Sequence, residues 1–177
     1  SLDEYYPAVT ADGETFLFTR NNRTEAVATQ EDFLISKKVN NVWQKATLIG
    51  GGINTDGNEG APSLSADGQI LFFAACQEID GSFGGNRKGY GSCDIFYAQK
   101  IGNNWGKAYN LGPNINTKYF ESQPSFAADG KHLYFVSGRL GGFGGTDIYV
   151  STLNAEGFWG TPQNLGPKIN TPGREES

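Results

Sequence analysis

Four glutamates recur at one position of a repeating pattern: Glu4, Glu59, Glu121 and Glu175. Gathered in one place, such carboxylates attract a cation or a basic peptide, because clustered like charges favour a partner of opposite sign. The alternative is structural, with each Glu pairing an arginine or capping a turn. A second candidate is the glycine-rich loop at 138–146, GRLGGFGGT. It does not lead into a helix N-terminus, so it is no phosphate cradle. It is either a hairpin loop needing positive φ or a recognition loop. Phe-Gly-Gly occurs at 83–85 and 143–145, so Phe83, Arg87, Arg139 and Phe143 are the loop candidates. Each Phe is either presented to a partner or tucked back over its sheet. Asp56, Asn58 and Glu59 offer oxygen atoms to Ca²⁺, but the glutamate that closes an EF-hand loop is missing. No metal and no cofactor is assigned.

Other chemistry is excluded by residue type. The chain has a single histidine, His132. A multi-histidine zinc site is therefore impossible within it. No Gly-x-Ser-x-Gly elbow accompanies that histidine, so no serine triad is read. No catalytic residue is assigned. The net charge is −5 with 14 scattered Lys and Arg, a poor footprint for nucleic acid. No apolar run of ~18 residues exists to span a membrane. The chain starts without an initiator Met or a leader, which is the expectation for a processed chain or a fragment.

The elements that must position these residues are strands. Gly is 25 of 177 residues and aromatics are 13%, which disfavours long helices and suits short strands with tight turns. Ala-Asp-Gly recurs at 11–13, 66–68 and 128–130, and the three Trp (Trp43, Trp105, Trp159) are equivalent. Pro7, Pro62 and Pro124 follow their glutamates by three, and Asn-Thr closes each unit at 54–55, 116–117 and 170–171. The Asp-Gly pairs read as hairpin turns, and the Trp as wedges between sheets. A Trp about thirty residues after its Asp-Gly is too far away for a sialidase Asp-box. In the third unit, strands are expected at 123–127, 132–137 and 147–153, with a short outer strand opened by Trp159. Repeated four-stranded antiparallel units predict an all-β chain, a β-propeller. The blades are 1–58, 59–120 with a long Cys-bracketed loop, and 121–174, with 175–177 starting a further one. Three blades do not normally close a ring, so part of a larger propeller of about five to seven blades is expected.

The third unit, from Glu121 through Ser137, Arg139, Gly141, Gly142, Gly144, Gly145 and Asp147 to Thr171, resembles the TolB-type propeller repeat, also called the WD-like PD repeat. The version with G-G-x-G-G-x-D-I-Y and N-L-G-x-x-I-N-T is similar to propellers of Bacteroidetes cell-envelope proteins of the OmpA family. Some of those belong to the type IX secretion and gliding apparatus. Two departures lie in loops: the second unit has no Arg at the third unit's spacing, and the first has Arg20 and Arg23 but no glycine motif. The resemblance implies that first strands line the channel, which would put Glu4, Glu59, Glu121 and Glu175 near one mouth. It implies a periplasmic, outer-membrane-associated setting, a protein or peptide partner, and a peptidoglycan link through a domain outside the chain. The expected function is non-catalytic binding or scaffolding. The rival is a glycan-active propeller, or the accessory propeller of a serine peptidase whose catalytic domain lies elsewhere.

Cys76 falls just past the second strand of its unit, and Cys93 directly precedes Asp94 at the start of the third. They face each other across the base of a hairpin. Opposed residues in antiparallel strands lie within disulfide reach, so a Cys76–Cys93 bond is predicted. It would close the polar insertion at 77–92 and point to an oxidising compartment.

Overall fold

The computed structural model describes residues 3–21 and 30–176. All fourteen elements among the described residues are strands. Blade one contains β1 (Asp3–Val9), β2 (Thr15–Asn21), β3 (Glu31–Val39), β4 (Val42–Trp43) and β5 (Thr47–Leu48). Blade two contains β6 (Asn58–Leu64), β7 (Ile70–Cys76), β8 (Cys93–Ile101), β9 (Asn104–Trp105) and β10 (Tyr109–Asn110). Blade three contains β11 (Glu121–Phe126), β12 (His132–Ser137), β13 (Asp147–Thr152) and β14 (Gln163–Asn164). Each is an antiparallel meander whose outer strand is short or broken in two. β6 packs against blade one and β11 against blade two. The chain is thus three successive blades of a β-propeller, with the first strand of each blade innermost.

Local chemistry sets each meander. The Asp-Gly turns place Gly13, Gly68 and Gly130 at φ 71°, 65° and 71°, where a side chain would be strained. Asp12 and Asp67 each accept a hydrogen bond from the hydroxyl two residues earlier, Thr10 Oγ1 and Ser65 Oγ, both at 2.6 Å. Blade three has Ala127 there, and Asp129 Oδ2 instead meets His132 Nδ1 at 2.6 Å. The innermost strand bulges in every blade, between Tyr5 and Ala8, Gly60 and Ser63, and Ser122 and Ser125. In each bulge the residue before the proline (Pro7, Pro62 or Pro124) has positive φ: Tyr6 51°, Ala61 52°, Gln123 52°.

The core lies between blades rather than within one. Strand β7 turns Leu71 and Phe73 into a cluster with Leu17, Phe33 and Ile53 of blade one. Its Phe72 faces the other way, into a cluster with Leu133, Phe135 and Tyr149 of blade three. The unbroken apolar run LFF follows from this, because both faces of blade two are covered. The expected disulfide is present: Cys76 and Cys93 are register partners at the base of the β7–β8 hairpin. No helix of the described residues is long and apolar enough to cross a membrane.

Candidate functional site

The repeated glutamates sit at the junctions where one blade hands over to the next. Thr55 precedes Glu59 by four residues, and Glu59 accepts hydrogen bonds from Thr55 N at 3.0 Å and Thr55 Oγ1 at 2.6 Å. Glu121 takes Thr117 N at 2.6 Å and Thr117 Oγ1 at 2.8 Å. Glu175 takes Thr171 N at 3.0 Å and Thr171 Oγ1 at 2.5 Å. Glu59 and Glu121, which open blades two and three, therefore cap the turn that ends the blade before, and Glu175 caps the turn at Thr171 in the same way. Glu59 and Glu121 are both 0% exposed. Glu4 differs: its partner is Arg20 Nε at 3.1 Å, across the β1–β2 ladder, and the pair is partly exposed. Arg23 lies outside the described residues.

Arg87 and Arg139 complete the two buried junctions. The Arg139 guanidinium donates to Ile115 O at 2.7 Å and lies 3.6 Å from Glu121. It covers the rings of Phe135 and Tyr149 at 5.4 and 4.8 Å. Arg87 donates to Ile53 O at 3.1 Å, to Thr55 Oγ1 at 3.0 Å and to Glu59. It covers Phe73 and Phe96 at 5.7 and 5.5 Å. Arg87 comes from the long insertion of blade two, yet its guanidinium makes the contacts that Arg139 makes from a tight loop. The arginine that the second unit lacks at the third unit's spacing is thus supplied from its own insertion. Burial pushes the Glu59 carboxyl upward, opposed by the Arg87 charge and by the Thr55 hydrogen bonds. Burial likewise lowers Arg139, opposed by Glu121.

The two Phe-Gly-Gly segments are not equivalent. Phe83 is 2% exposed and packs on Phe96 at 6.1 Å, so it is tucked into the core. Phe143 is 48% exposed. By its contacts Phe143 corresponds to Tyr90, since both backbone N–H groups donate to the aspartate that opens strand three. Tyr90 N reaches Asp94 at 2.8 Å, and Phe143 N reaches Asp147 at 2.6 Å. Burial raises the Asp94 carboxyl, opposed by Asn110 and the two backbone donors.

The structure gives a positioning role to residues that the sequence offers only as markers of the repeat. Asn54, Asn116 and Asn170 each clamp one peptide of strand three, accepting from Phe33, Ile95 and Ile148 N at 2.8 Å in every case. Asn110 and Asn164 link those clamps to Asp94 and Asp147. The signal was present, because Asn-Thr-x-x-x-Glu recurs at 54–59, 116–121 and 170–175. It reads as one motif only if the last residues of one unit and the first of the next are taken together.

Asp56, Asn58 and Glu59 are not gathered around one point by their hydrogen bonds. Asp56 faces Gly85 N at 3.3 Å, Asn58 donates to Glu78 at 2.9 Å, and Glu59 is held in its junction. No cluster of three or more metal-ligating side chains occurs among the described residues.

The innermost bulges build an axial groove. One cavity of about 320 Å³ is lined by Tyr6, Ala61 and Gln123 with the prolines that follow them. A second, of about 550 Å³, shares those three residues and adds Tyr5, Glu31 and Ser122. Tyr5 donates its hydroxyl to Glu31. Burial and that carboxylate push the phenol above its ordinary range. Neither cavity is lined by Glu59 or Glu121.

No protein-family model matches the chain. No curated protein matches it either. Among solved structures, a TolB candidate from Agrobacterium tumefaciens is 14% identical, with a TM-score of 0.48 over 93% of this chain and 62% of that one. TolB from Acinetobacter baumannii is 17% identical, with a TM-score of 0.44 over 93% of this chain and 44% of that one. The chain spans less than two thirds of the length of either.

Proposed function

We propose that this chain is part of a non-catalytic binding module of the bacterial cell envelope that holds a protein or peptide segment in its axial groove. The observation that carries this reading is the triplet of bulges. Each blade interrupts its innermost ladder at the same place, and the residues there line one groove. A bulge leaves backbone groups outside the ladder, where an extended segment can pair with them. The positive-φ residues before the prolines are backbone strain of the kind that clusters at ligand clamps. Glu31 faces one of the cavities and Glu4 lies partly exposed on the same innermost strand as Tyr6, so a partner with basic groups is favoured. The disulfide fits an oxidising compartment such as the periplasm. Outer-membrane association, a secretion assembly and a peptidoglycan link rest on the resemblance of the repeat alone.

Ser125 is exposed and lines the groove. Ser125→Arg should block it without disturbing the core. Pull-down from an envelope extract with quantitative mass spectrometry is the test. Loss of the wild-type partners at unchanged melting temperature supports the proposal, and unchanged capture overturns it. Glu4→Gln should weaken capture and its salt dependence.

A further inference from the structure

Blades two and three are separated at their outer edge by a cleft of about 510 Å³, lined by Phe72, Tyr97, Gln99, Pro113, Phe158 and Trp159 among others. That volume is in the range of small-molecule sites. The corresponding junction between blades one and two is closed by a close backbone approach. A Cβ placed on Gly51 would lie 2.2 Å from Trp105 O, and Trp105 is 8% exposed. In the repeat, Gly51 corresponds to Pro113, and Trp105 to Trp159. A proline cannot accept that approach, so the Trp159 segment stands off, bridged instead by Asn114 Nδ2 donating to Trp159 O at 3.0 Å.

The lining changes along with the gap. Leu17, Ile35 and Lys37 of blade one correspond to Phe72, Tyr97 and Gln99 of blade two. Phe158, at the lip, is largely exposed. The Trp159 ring stands edge-on to Phe72, with centroids 6.1 Å apart and an interplanar angle of 79°. No Asp, Glu, Lys or Arg lines the cleft. The Gln99 amide and the Tyr97 hydroxyl make no hydrogen bond among the described residues, so both have capacity for a ligand.

We infer that this cleft is a binding site for a neutral saccharide, separate from the axial groove. Aromatic surfaces meet the apolar C–H faces of a pyranose ring. An uncharged amide and a phenol meet its hydroxyls, and the absence of charge matches a ligand without charge. A purely apolar side chain of a partner protein would leave the Gln99 and Tyr97 polar groups unpaired.

The test is titration of the 177-residue protein with chitohexaose and with cellohexaose, followed by isothermal calorimetry and tryptophan fluorescence. Saturable binding of either sugar is expected. Trp159→Ala should weaken it by about tenfold or more, as truncation of a central aromatic anchor does. Gln99 is exposed, so Gln99→Ala should weaken binding while leaving the melting temperature unchanged. Trp43→Ala, at the equivalent position of blade one, should leave binding intact. No saturable binding of either sugar overturns the inference. So does binding that Gln99→Ala leaves unaltered. Saturable binding of a proline- and aromatic-rich peptide without sugar binding would also overturn it, assigning the cleft to protein docking.

Discussion

Glu59 and Arg87 show what a carboxylate deep in a propeller junction requires. The acid is buried, so its ionised form depends on the guanidinium and on the two Thr55 donors. Arg87→Ala leaves the acid without its counter-charge, and breaking such a pair typically costs about 3–5 kcal/mol. Burial then acts on Glu59 with less opposition, so its folded pKa rises further. A raised carboxyl pKa means that stability is fullest at low pH and is lost as pH rises. The penalty for Arg87→Ala should therefore be larger at pH 7 than at pH 4 in urea denaturation. Adding Glu59→Gln should recover part of it. The turn aspartates have the opposite sign. Hydrogen bonds from His132 and from the Lys131 and His132 backbone hold Asp129 down at about 2. Its contribution is present above its ordinary value of 3.8 and is lost as pH falls towards about 2. Asp129→Asn should flatten the pH dependence of the melting temperature in that window, and an unchanged profile would remove Asp129 from the account.

At the level of the element, two features of the second-to-third strand loops stand out. Segments 117–120 and 171–174 run across the loops before β8 and β13, each making a parallel bridge, Cys93 with Phe120 and Thr146 with Arg174. The crossing leaves no room for a side chain. A Cβ on Gly91 would lie 2.0 Å from Tyr119 O, and one on Gly144 would lie 2.2 Å from Gly173 O. Gly91→Ala and Gly144→Ala should each destabilise by more than the ordinary ~1 kcal/mol of a point change. Gly138→Ala, whose nearest neighbour is at 3.6 Å and whose φ is not positive, should be nearly neutral. The second feature is the disulfide. Cys76→Ser with Cys93→Ser opens a loop whose closure stabilises by about 3 kcal/mol in the chain-entropy model, read out as a lower denaturation midpoint.

Across the whole molecule, the architecture was legible because it is periodic. Ala-Asp-Gly, E-x-x-P and Asn-Thr each recur at blade spacing, and each marks a turn, a bulge or a clamp that every blade needs. The disulfide was legible for a related reason, since alignment of two hairpins puts both cysteines at one rung. The site was less legible. Glu59 and Glu121 carry the residue type of a channel-mouth ligand, but their hydrogen-bond donors come from the preceding blade, and a unit read in isolation does not contain them. Phe83 carries the sequence of Phe143 but sits in the core, because the longer loop folds it back. Arg87 fills the place of Arg139 from a different distance along the chain, which no fixed spacing reveals. The cleft at Trp159 depends on proline replacing glycine opposite it, a difference that matters only once two blades are side by side.

The position of the cysteine bond also decides what happens when the backbone is cut. Lys88 is exposed on the insertion, between the bonded residues. A tryptic nick there severs the polypeptide within blade two, yet both products remain one covalent molecule through Cys76 and Cys93. The strands on either side of the nick stay paired along β7 and β8. Limited trypsin treatment should therefore give a species of unchanged mass on a non-reducing gel that splits in two only when thiol is added. In an environment rich in proteases, the same bond turns a cut that would separate the blades into a scar that the fold survives.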